Sequence, residues 1–277
     1  MPGDSERKLA KAAGLGTDVC IADLEDGVAP EAKGLARSTV PRMLPELDWG
    51  KTRLFVRIDP AGDPLEDVAA AVTAGAHGIV VPKASHPDQV SSLADQIRQI
   101  EPELELALIL TEDAVGVREM DRTLDAVPDV VAAFFGTEDL AASLGVRSVF
   151  DARGRLVDVL ETARSLFRLA TGARGVPAVD TPHLAIDDLE GVRGAAAVAA
   201  AQGFVGKQVI HPSHVPIVNE AFVPDAGEVA RARDLVDRFE QAGGGGAIRV
   251  GNEMADPPHL KRARSVLALA DLYQGDE

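Results

Sequence analysis

The amino-acid sequence predicts an α/β protein with the architecture of a (β/α)8 TIM barrel, and three observations predict it. Short apolar runs typical of buried strands recur along the 277-residue chain. Stretches with helical spacing separate these runs, and such alternation indicates repeated βαβ units and a parallel sheet. The glycine fingerprints of a doubly wound nucleotide-binding sheet are missing, since Gly14-Leu15-Gly16 has no third glycine and no Gly-Lys-Ser/Thr triplet follows a predicted strand.

Seven apolar runs are the predicted strands, and several are nearly continuous in Val, Ile, Leu and Ala. Such runs suit a parallel sheet, in which both faces of each strand are covered. The runs are Asp18–Asp23, Arg53–Ile58, Gly78–Pro82, Leu104–Leu110, Val130–Phe135, Pro177–Val179 and Lys207–Ile210. A closed barrel has eight strands, so we expect the first strand, before Pro2, to be truncated or missing.

Three apolar stripes at helical spacing predict helices between the strands. Their members are Leu65, Val68, Ala69, Val72 and Ala76; Val90, Leu93, Ala94 and Ile97; and Leu189, Val192, Ala196 and Ala199. Each stripe would cover one face of the parallel sheet.

The last part of the chain predicts a C-terminal helical arm. An amphipathic helix over Glu228–Gln241 is followed by the flexible run Gly243–Gly246 and by a closing helix over His259–Leu272. We therefore predict a barrel domain over 1–223 and an arm over 224–277. The arm either packs as a lid on a neighbouring subunit or is a linker to a surface helix.

Composition excludes several classes of function. The 28 Lys and Arg against 44 Asp and Glu give a net charge of −16, unlike the basic face of a nucleic-acid binder or of a protein docking on anionic membranes. The single cysteine, Cys20, excludes an internal disulfide framework, and its apolar neighbours predict a buried side chain. No apolar stretch approaches the roughly 20 residues of a membrane span, and the N-terminus has no signal-peptide pattern, so we expect a cytoplasmic protein.

Polar side chains follow the predicted strands at their carboxyl ends, where barrel enzymes carry their catalytic groups. The carboxylates are Asp23, Glu25, Asp26, Asp59, Glu112, Asp113, Glu138, Asp139 and Asp180, with the cations Arg57 and Lys83 between them. Any single carboxylate could be a helix cap or a solvated loop residue. Glu112 and Asp139 follow neighbouring strands, and two converging carboxylates suit Mg²⁺. Arg57 would neutralise an enolate oxyanion beside such a metal.

Taken in order, these motifs resemble the citrate lyase beta-subunit-like family of acyl-CoA lyases, within the HpcH-type aldolase superfamily. The matching stretches are Pro2–Lys8, Asp23–Val28 with Lys33 and Arg37, Val56–Ile58, Pro82-Lys83, Glu112 before Gly116, Gly136–Leu140, Asp180, Gly203–Lys207 through Ile210–Pro212, and Met254–Pro257. Each motif is weak alone, but the ordered set is specific and spans nearly the whole chain.

The resemblance implies a role for each matching residue. Glu112 and Asp139 would hold Mg²⁺, Arg57 would pair with the oxyanion, and Glu25 and Asp26 would hold the metal's waters or the arginine. The candidates for CoA phosphates and substrate are Arg7, Lys8, Lys33, Arg37, Lys83 and Asp180.

The resemblance also implies an assembly and a reaction. Asp256 would come from a neighbouring subunit as an acid/base, in a homotrimer or a hexamer of trimers. The reaction would be reversible carbon–carbon cleavage of a 3-hydroxyacyl-CoA, such as citramalyl-, malyl- or citryl-CoA, to acetyl-CoA and an oxo acid. Some relatives add a thioesterase step.

Two substitutions depart from the family pattern. Asp59 stands where the family has Asn, and Asp113 stands where it has Thr. Extra negative charge near the metal should tighten a divalent cation and weaken an anionic substrate, which predicts a less acidic substrate partner.

Two other functions remain open from the sequence. One is an aldolase acting on free hydroxy-oxo-acids, which gains weight if the missing strand removes part of the CoA groove. The other is a non-catalytic descendant that binds a metal or a metabolite. Retention of Glu112, Asp139 and Arg57 together argues against the second.

Overall fold

The computed structural model of the chain describes residues 1–151, 154–243, 246–250 and 253–274. The chain forms two compact units, Met1–Val218 and Asn219–Glu277. Each unit has its own elements and is described separately.

The first unit is built around one parallel sheet of seven strands, paired in chain order. The strands are β1 (Val19–Asp23), β2 (Arg53–Arg57), β3 (Gly78–Val81), β4 (Glu105–Ile109), β5 (Ala132–Phe134), β6 (Ala178–Asp180) and β7 (Gly206–Lys207). Each predicted run overlaps one strand, so the seven-stranded parallel order is confirmed, although β6 extends one residue past its run to Asp180 and β7 begins one residue before its run at Gly206. The last prediction is too long, because β7 ends at Lys207 and residues 208–210 have no strand structure.

Helices connect successive strands across the faces of the sheet. They are α1 (Glu6–Ala12), α2 (Lys33–Met43), α3 (Pro64–Thr73), α4 (Pro87–Ile100), α5 (Ala114–Ala126), α6 (Glu138–Ser143), α7 (Asp158–Arg174), α8 (Leu189–Ala201) and α9 (Val215–Phe222), which ends beyond the first unit. The three predicted stripes fall on α3, α4 and α8. On α3 the buried face is shifted: Ala69 is exposed, while Asp67 is buried beside Val68.

The N-terminus runs beside β1 as a short stub. Pro2 forms an isolated parallel bridge with Asp23, the Asp23 amide donates to the Met1 carbonyl at 2.8 Å, and Gly3 donates to the Asp23 carbonyl at 2.8 Å. Among the described residues β7 pairs with β6 alone. The α/β fold with a parallel sheet is therefore confirmed, and closure into a full TIM barrel stays a prediction.

Small aliphatic side chains and a few rings fill the core of this unit. Phe55, Val80, Ala107, Ile109 and Phe134 pack together on the sheet. A side chain at Gly78 would collide with the Phe55 ring and with a β4 carbonyl, so glycine permits the close approach of β2, β3 and β4. Cys20 is buried as predicted.

The second unit contains two helices and a β-hairpin. Helix α10 (Ala226–Gln241) begins with a capping box between Asp225 and Glu228, and α11 (Pro257–Gln274) ends the unit. Both predicted helices are confirmed. Strands β8 (Ile248–Val250) and β9 (Glu253–Ala255) pair antiparallel, and Gly244 and Gly245 of the glycine run lie outside the described residues. None of the described helices is long and apolar enough to cross a membrane.

Candidate active site

The centre of the site is an ion pair between the last residues of two neighbouring strands. Asp23 and Arg57 are register partners at the carboxyl ends of β1 and β2. Arg57 donates to both oxygens of Asp23, from Nε at 2.7 Å and from Nη2 at 2.5 Å, and Nη1 lies 2.9 Å from Glu25 Oε2. Burial alone would lower the pKa of Arg57, but the hydrogen bonds and charge of Asp23 outweigh it and raise that pKa. The guanidinium is held in a fixed orientation and stays charged.

Asp23 also shapes the loop that follows β1. Its two oxygens accept from the amides of Glu25 and Gly27, both at 2.9 Å. A Cβ at Gly27 would collide with Asp23 Oδ2, so this tight turn requires glycine. The acidic loop is therefore folded around the carboxylate that orients Arg57.

Lys83 connects this loop to the end of β3. Its ammonium donates to Glu25 Oε1 and, at 2.8 Å, to Asp26 Oδ2. Glu25 is buried, whereas Asp26 is exposed. Burial raises the pKa of Glu25, against the opposing charges of Arg57 and Lys83.

The backbone of Lys83 has an unusual conformation. With φ at 53°, Lys83 is the one non-glycine residue of the described chain in the left-handed region, which costs a residue with a Cβ of order 1–3 kcal/mol. In this conformation its backbone N–H donates to Glu112 Oε2. The turn continues to Ser85, whose hydroxyl donates to Asp113 at 2.8 Å.

Glu112 is a carboxyl group whose ionised form is disfavoured by burial. Its side chain follows β4 and is 5% exposed. Burial, together with the negative charges of Glu25 and Asp139, raises its pKa to about 7, against the hydrogen bond from Lys83. A Cβ at Gly136 would lie 2.7 Å from Glu112 Cγ, so the glycine after β5 leaves room for this carboxyl group.

The donor set fits a hard divalent cation. Asp139, in the first turn of α6, is exposed and acts electrostatically on Glu112. The Thr137 hydroxyl beside it is buried without a hydrogen-bond partner among the described residues. No three His, Cys, Asp or Glu side chains form a metal-binding group in the described ranges. Mg²⁺ is commonly held by one or two carboxylates with water and substrate oxygens completing its shell, and Glu112 with Asp139 matches that requirement.

Lys33 and Arg37 make internal contacts. Lys33 donates to the carbonyls of Leu24 at 2.8 Å and Glu25 at 2.7 Å and pairs with Asp59 at 3.0 Å. Arg37 pairs with Asp67 at 2.8 Å and with Glu66 at 2.6 Å, which ties α2 to α3. Engaged in this way, both cations are better suited to fixing the acidic loop and the helices than to binding CoA phosphates.

The remaining two predicted CoA cations, Arg7 and Lys8, are exposed on α1. Neither side chain makes a hydrogen bond or an ion pair with the described residues, although the Lys8 amide donates to the Ser5 carbonyl at 3.0 Å.

Asp180 lies within a different network. It accepts from Arg164 Nε at 2.8 Å and from Lys207 Nζ at 2.9 Å, and all three side chains are buried. Arg164 also stacks over the Phe204 ring, 4.7 Å from its centroid. We therefore correct the sequence-based interpretation of Asp180: its carboxylate joins the last two strands to α7.

The two extra carboxylates both have local partners. Asp59 pairs with Lys33, and Asp113 caps α5 by accepting from Gly116 at 2.6 Å, in addition to the Ser85 hydroxyl. The charge of Asp59 is thus offset by a cation, whereas Asp113 has neutral donors, and the less acidic substrate stays a prediction.

Asp256 belongs to the second unit and directly precedes α11. Its carboxylate accepts from His259 Nδ1 at 2.5 Å. This hydrogen bond lowers the pKa of Asp256. An ionised Asp256 is available as a proton acceptor.

Asp23 is the functional residue that sequence reasoning left without a role. The signal was present, because Asp23 ends one predicted strand and Arg57 lies one residue before the end of the next. In a parallel sheet such residues lie side by side.

An α/β protein that gathers carboxylates around an arginine and a buried glutamate at the carboxyl ends of parallel strands has the layout of a metal-assisted carbon–carbon lyase or aldolase. The chain belongs to the HpcH/HpaI aldolase/citrate lyase family, which it matches over residues 1–212.

Individual relatives extend this similarity. The chain is 31% identical to the mitochondrial citramalyl-CoA lyase of Mus musculus, over 98% of this chain and 84% of that protein. It is 34% identical to a (3S)-malyl-CoA thioesterase of Cereibacter sphaeroides, over 98% and 93%. A crystal structure of CitE from Mycobacterium tuberculosis in complex with magnesium, acetoacetate and coenzyme A matches with a TM-score of 0.82 and 32% identity, over 98% of this chain and 96% of that one.

Proposed function

We propose that the protein is a Mg²⁺-dependent carbon–carbon lyase that cleaves a 3-hydroxyacyl-CoA to acetyl-CoA and an oxo acid, and that forms the same bond in reverse. The observation that carries this proposal is the buried Glu112 beside Asp139, next to an arginine whose orientation is fixed by Asp23. The relatives named for citramalyl-CoA and malyl-CoA, and the CitE complex with magnesium and coenzyme A, support this substrate class.

Glu112 and Asp139 would hold Mg²⁺, with water and substrate oxygens in the remaining positions. When bound, the metal supplies positive charge and Lewis acidity at the oxygens of the oxo-acid half. Held at the ends of neighbouring strands, the two carboxylates would orient that half of the substrate.

Arg57 would stabilise the enolate oxyanion of the acetyl-CoA half. A guanidinium has five N–H groups, of which Asp23 takes two, while Glu25 Oε2 lies 2.9 Å from Nη1 as an ion pair without a hydrogen bond. Both N–H groups of Nη1 and one of Nη2 are therefore left for an oxyanion. Since the side chain is 22% exposed, these donors act where water is partly excluded and their contribution is large.

Asp256 would act as the acid/base group. As a carboxylate it can take the proton of the substrate hydroxyl when the carbon–carbon bond breaks, and it can return a proton in the reverse direction. The hydrogen bond from His259 favours the ionised form that accepts the proton.

The same proposal includes the domain organisation and the subunit assembly. We infer a TIM barrel over 1–223, in which the stub at Met1–Gly3 stands where the first strand would pair. We further infer an arm over 224–277 that carries Asp256 to a neighbouring subunit of a cytoplasmic homotrimer or hexamer. Mixing Glu112→Gln subunits with Asp256→Ala subunits tests this arrangement. In a symmetric ring, random mixing should restore about a quarter of wild-type turnover if Asp256 acts across the interface, and nothing if it acts within its own subunit.

The substrate class is tested by incubating the protein with Mg²⁺ and malyl-, citramalyl-, citryl- and hydroxymethylglutaryl-CoA. Acetyl-CoA and free CoA are measured together, so that a thioesterase step is detected in the same assay. Release of acetyl-CoA that chelation abolishes supports the lyase. Free CoA without acetyl-CoA contradicts it in favour of a thioesterase.

The engagement of Lys33 and Arg37 favours one second candidate, an aldolase acting on free hydroxy-oxo-acids. Both cations are held by internal carboxylates or carbonyls, which leaves Arg7 and Lys8 as the predicted CoA cations. Turnover of free hydroxy-oxo-acids, without cleavage of any of the CoA thioesters, would establish this second function.

A further inference from the structure

Lys83 lies at the junction of three strand ends. Its side chain reaches the acidic loop after β1, its backbone lies two residues beyond the end of β3, and its amide reaches Glu112, three residues beyond the end of β4. A lysine that served only in a surface ion pair would make the first of these contacts but would not need the other two.

The backbone contact depends on the left-handed conformation. In a regular parallel ladder the N–H of a strand residue donates to a carbonyl of the neighbouring strand, as the next amide, that of Ala84, does to the Ile109 carbonyl at 3.0 Å. At a φ of 53°, the Lys83 N–H instead donates to the Glu112 carboxylate. The turn is closed by the Ser85 amide, which donates to the Lys83 carbonyl at 2.8 Å.

The side-chain contact is independent of that amide. The ammonium bridges the buried Glu25 and the exposed Asp26. Glu25 is also the second carboxylate beside Arg57. Without the ammonium, Glu25 would keep only Arg57, and the acidic loop would lose its contact with β3.

We propose that Lys83 is a positioning residue with two separable roles: its backbone N–H places Glu112 for the metal, and its ammonium places Glu25 and Asp26 beside Arg57. The proposal rests on the metal role given to Glu112 above. It explains why a lysine occupies a backbone conformation that glycine adopts more easily.

Four variants separate the two roles. Lys83→Met removes the charge and keeps an unbranched side chain, and Lys83→Gly removes the charge and relieves the backbone. Lys83→Val removes the charge and adds a β-branched side chain, which strongly disfavours a positive φ. Lys83→Arg restores a cation, and Lys11→Met, on the exposed face of α1, is the matched control.

The metal readout is Mn²⁺ affinity measured by titration calorimetry. Lys83→Met and Lys83→Gly should bind Mn²⁺ as tightly as the wild type or more tightly, because the amide remains and a nearby positive charge is gone. Lys83→Val should bind about tenfold more weakly than Lys83→Met, since left-handed backbone is costly for a branched residue. Equal affinities for Lys83→Val and Lys83→Met overturn the backbone role, as does a wild-type protein that binds no Mn²⁺.

The loop readout is hydrogen exchange of the amides of residues 25–28. Lys83→Met and Lys83→Gly should raise their exchange rates by about tenfold, Lys83→Arg should restore them, and Lys11→Met should leave them unchanged. Lys83→Gly should also melt about 2–4 °C above Lys83→Met because the strain is relieved. Unchanged exchange in Lys83→Met overturns the side-chain role.

These readouts need no CoA substrate. A wild-type protein that binds Mn²⁺ but cleaves no thioester would contradict the proposed function and leave the roles of Lys83 standing. Circular dichroism of each variant identifies misfolding, and the comparison of Lys83→Met with Lys83→Arg and Lys11→Met still decides the side-chain role if Lys83→Val does not fold.

Discussion

The two ends of the parallel sheet carry the same kinds of charged side chain in different proportions. At the ends of β1 to β4, the carboxyl groups of Asp23, Glu25, Asp26 and Glu112 outnumber the two cations beside them, Arg57 and Lys83. At the ends of β6 and β7, Asp180 pairs with Arg164 and Lys207, and Arg164 also pairs with Glu161 at 3.6 Å, so carboxylates and cations are equal in number.

The difference in charge balance corresponds to a difference in burial. Asp180, Arg164 and Lys207 have side chains exposed by 3%, 5% and 3%. In the first network, by contrast, Lys83 and Asp26 are 41% and 59% exposed. A buried group with matched partners stabilises the fold, whereas an open group with excess negative charge can accept a cation and a substrate. The same amino-acid change should therefore have opposite effects in the two regions.

The largest effect is expected from Asp180→Asn. The change leaves Arg164 and Lys207 buried without their carboxylate, which should lower the free energy of unfolding by about 3–5 kcal/mol. Denaturant unfolding measures this difference, and the melting temperature should fall by about 10 °C. The matched change Glu112→Gln removes a carboxyl group from a site already too negative, so it should leave the metal-free stability equal or higher. Similar losses in the free energy of unfolding for both variants would contradict the difference between the two regions.

The next effect concerns catalysis through Arg57. Arg57→Lys keeps the charge but loses the two-point contact with Asp23 and the paired donors for an oxyanion. We expect kcat to fall by about 10²- to 10³-fold while Mn²⁺ affinity stays within a few-fold. Steady-state kinetics and calorimetry on the same preparation separate these quantities, and a parallel loss of metal binding would show that Arg57 supports the metal site instead.

A smaller effect is expected from pH. The folded-state pKa of Glu112, about 7, is above its unfolded value of 4.5, so between these values the folded protein binds more protons than the unfolded chain. The stability of the metal-free protein should therefore fall as pH rises through this window, by about 3 kcal/mol in all. Unfolding curves from pH 5 to pH 8 should show this slope for the wild type relative to Glu112→Gln. Equal slopes would contradict it.

The smallest effect is expected at α1. Exposed charge contacts contribute about 0.2–1 kcal/mol each, so Arg7→Ala or Lys8→Ala should raise KM for the CoA thioester about two- to fivefold without changing kcat. Arg37→Ala should instead lower stability, because it breaks the contacts with Asp67 and Glu66. A KM change in Arg37→Ala alone would assign the CoA site to α2.

The fold was largely readable from the sequence because its signals are local. The apolar runs locate all seven strands, and the three stripes locate α3, α4 and α8, with Ala76 of the first stripe lying beyond the end of α3. The prediction for the two-residue β7 was too long, because Val209 and Ile210 continue an apolar pattern beyond Gln208, whose amide donates to the Asp180 carbonyl at 2.9 Å. Closure of the barrel depends on long-range pairing, which local patterns do not encode.

The site was predicted in part, because strand ends give the position of a side chain but not its partners. Residues at the ends of β1 to β4 come together as the parallel sheet requires. Lys33, Arg37 and Asp180 were assigned through the family resemblance, and each is engaged by contacts that depend on tertiary packing. Asp113 could have been recognised as a cap of α5, since a helical pattern begins directly after it.

The central claim is that Glu112 holds a divalent metal at the open end of the sheet. The direct measurement is Mg²⁺ and Mn²⁺ affinity for the wild type, Glu112→Gln and Asp180→Asn, by titration calorimetry at pH 8. The account predicts that Glu112→Gln weakens binding by about 10- to 100-fold, while folded Asp180→Asn binds as the wild type does. Unchanged affinity in Glu112→Gln, or an equal loss in Asp180→Asn, would contradict it.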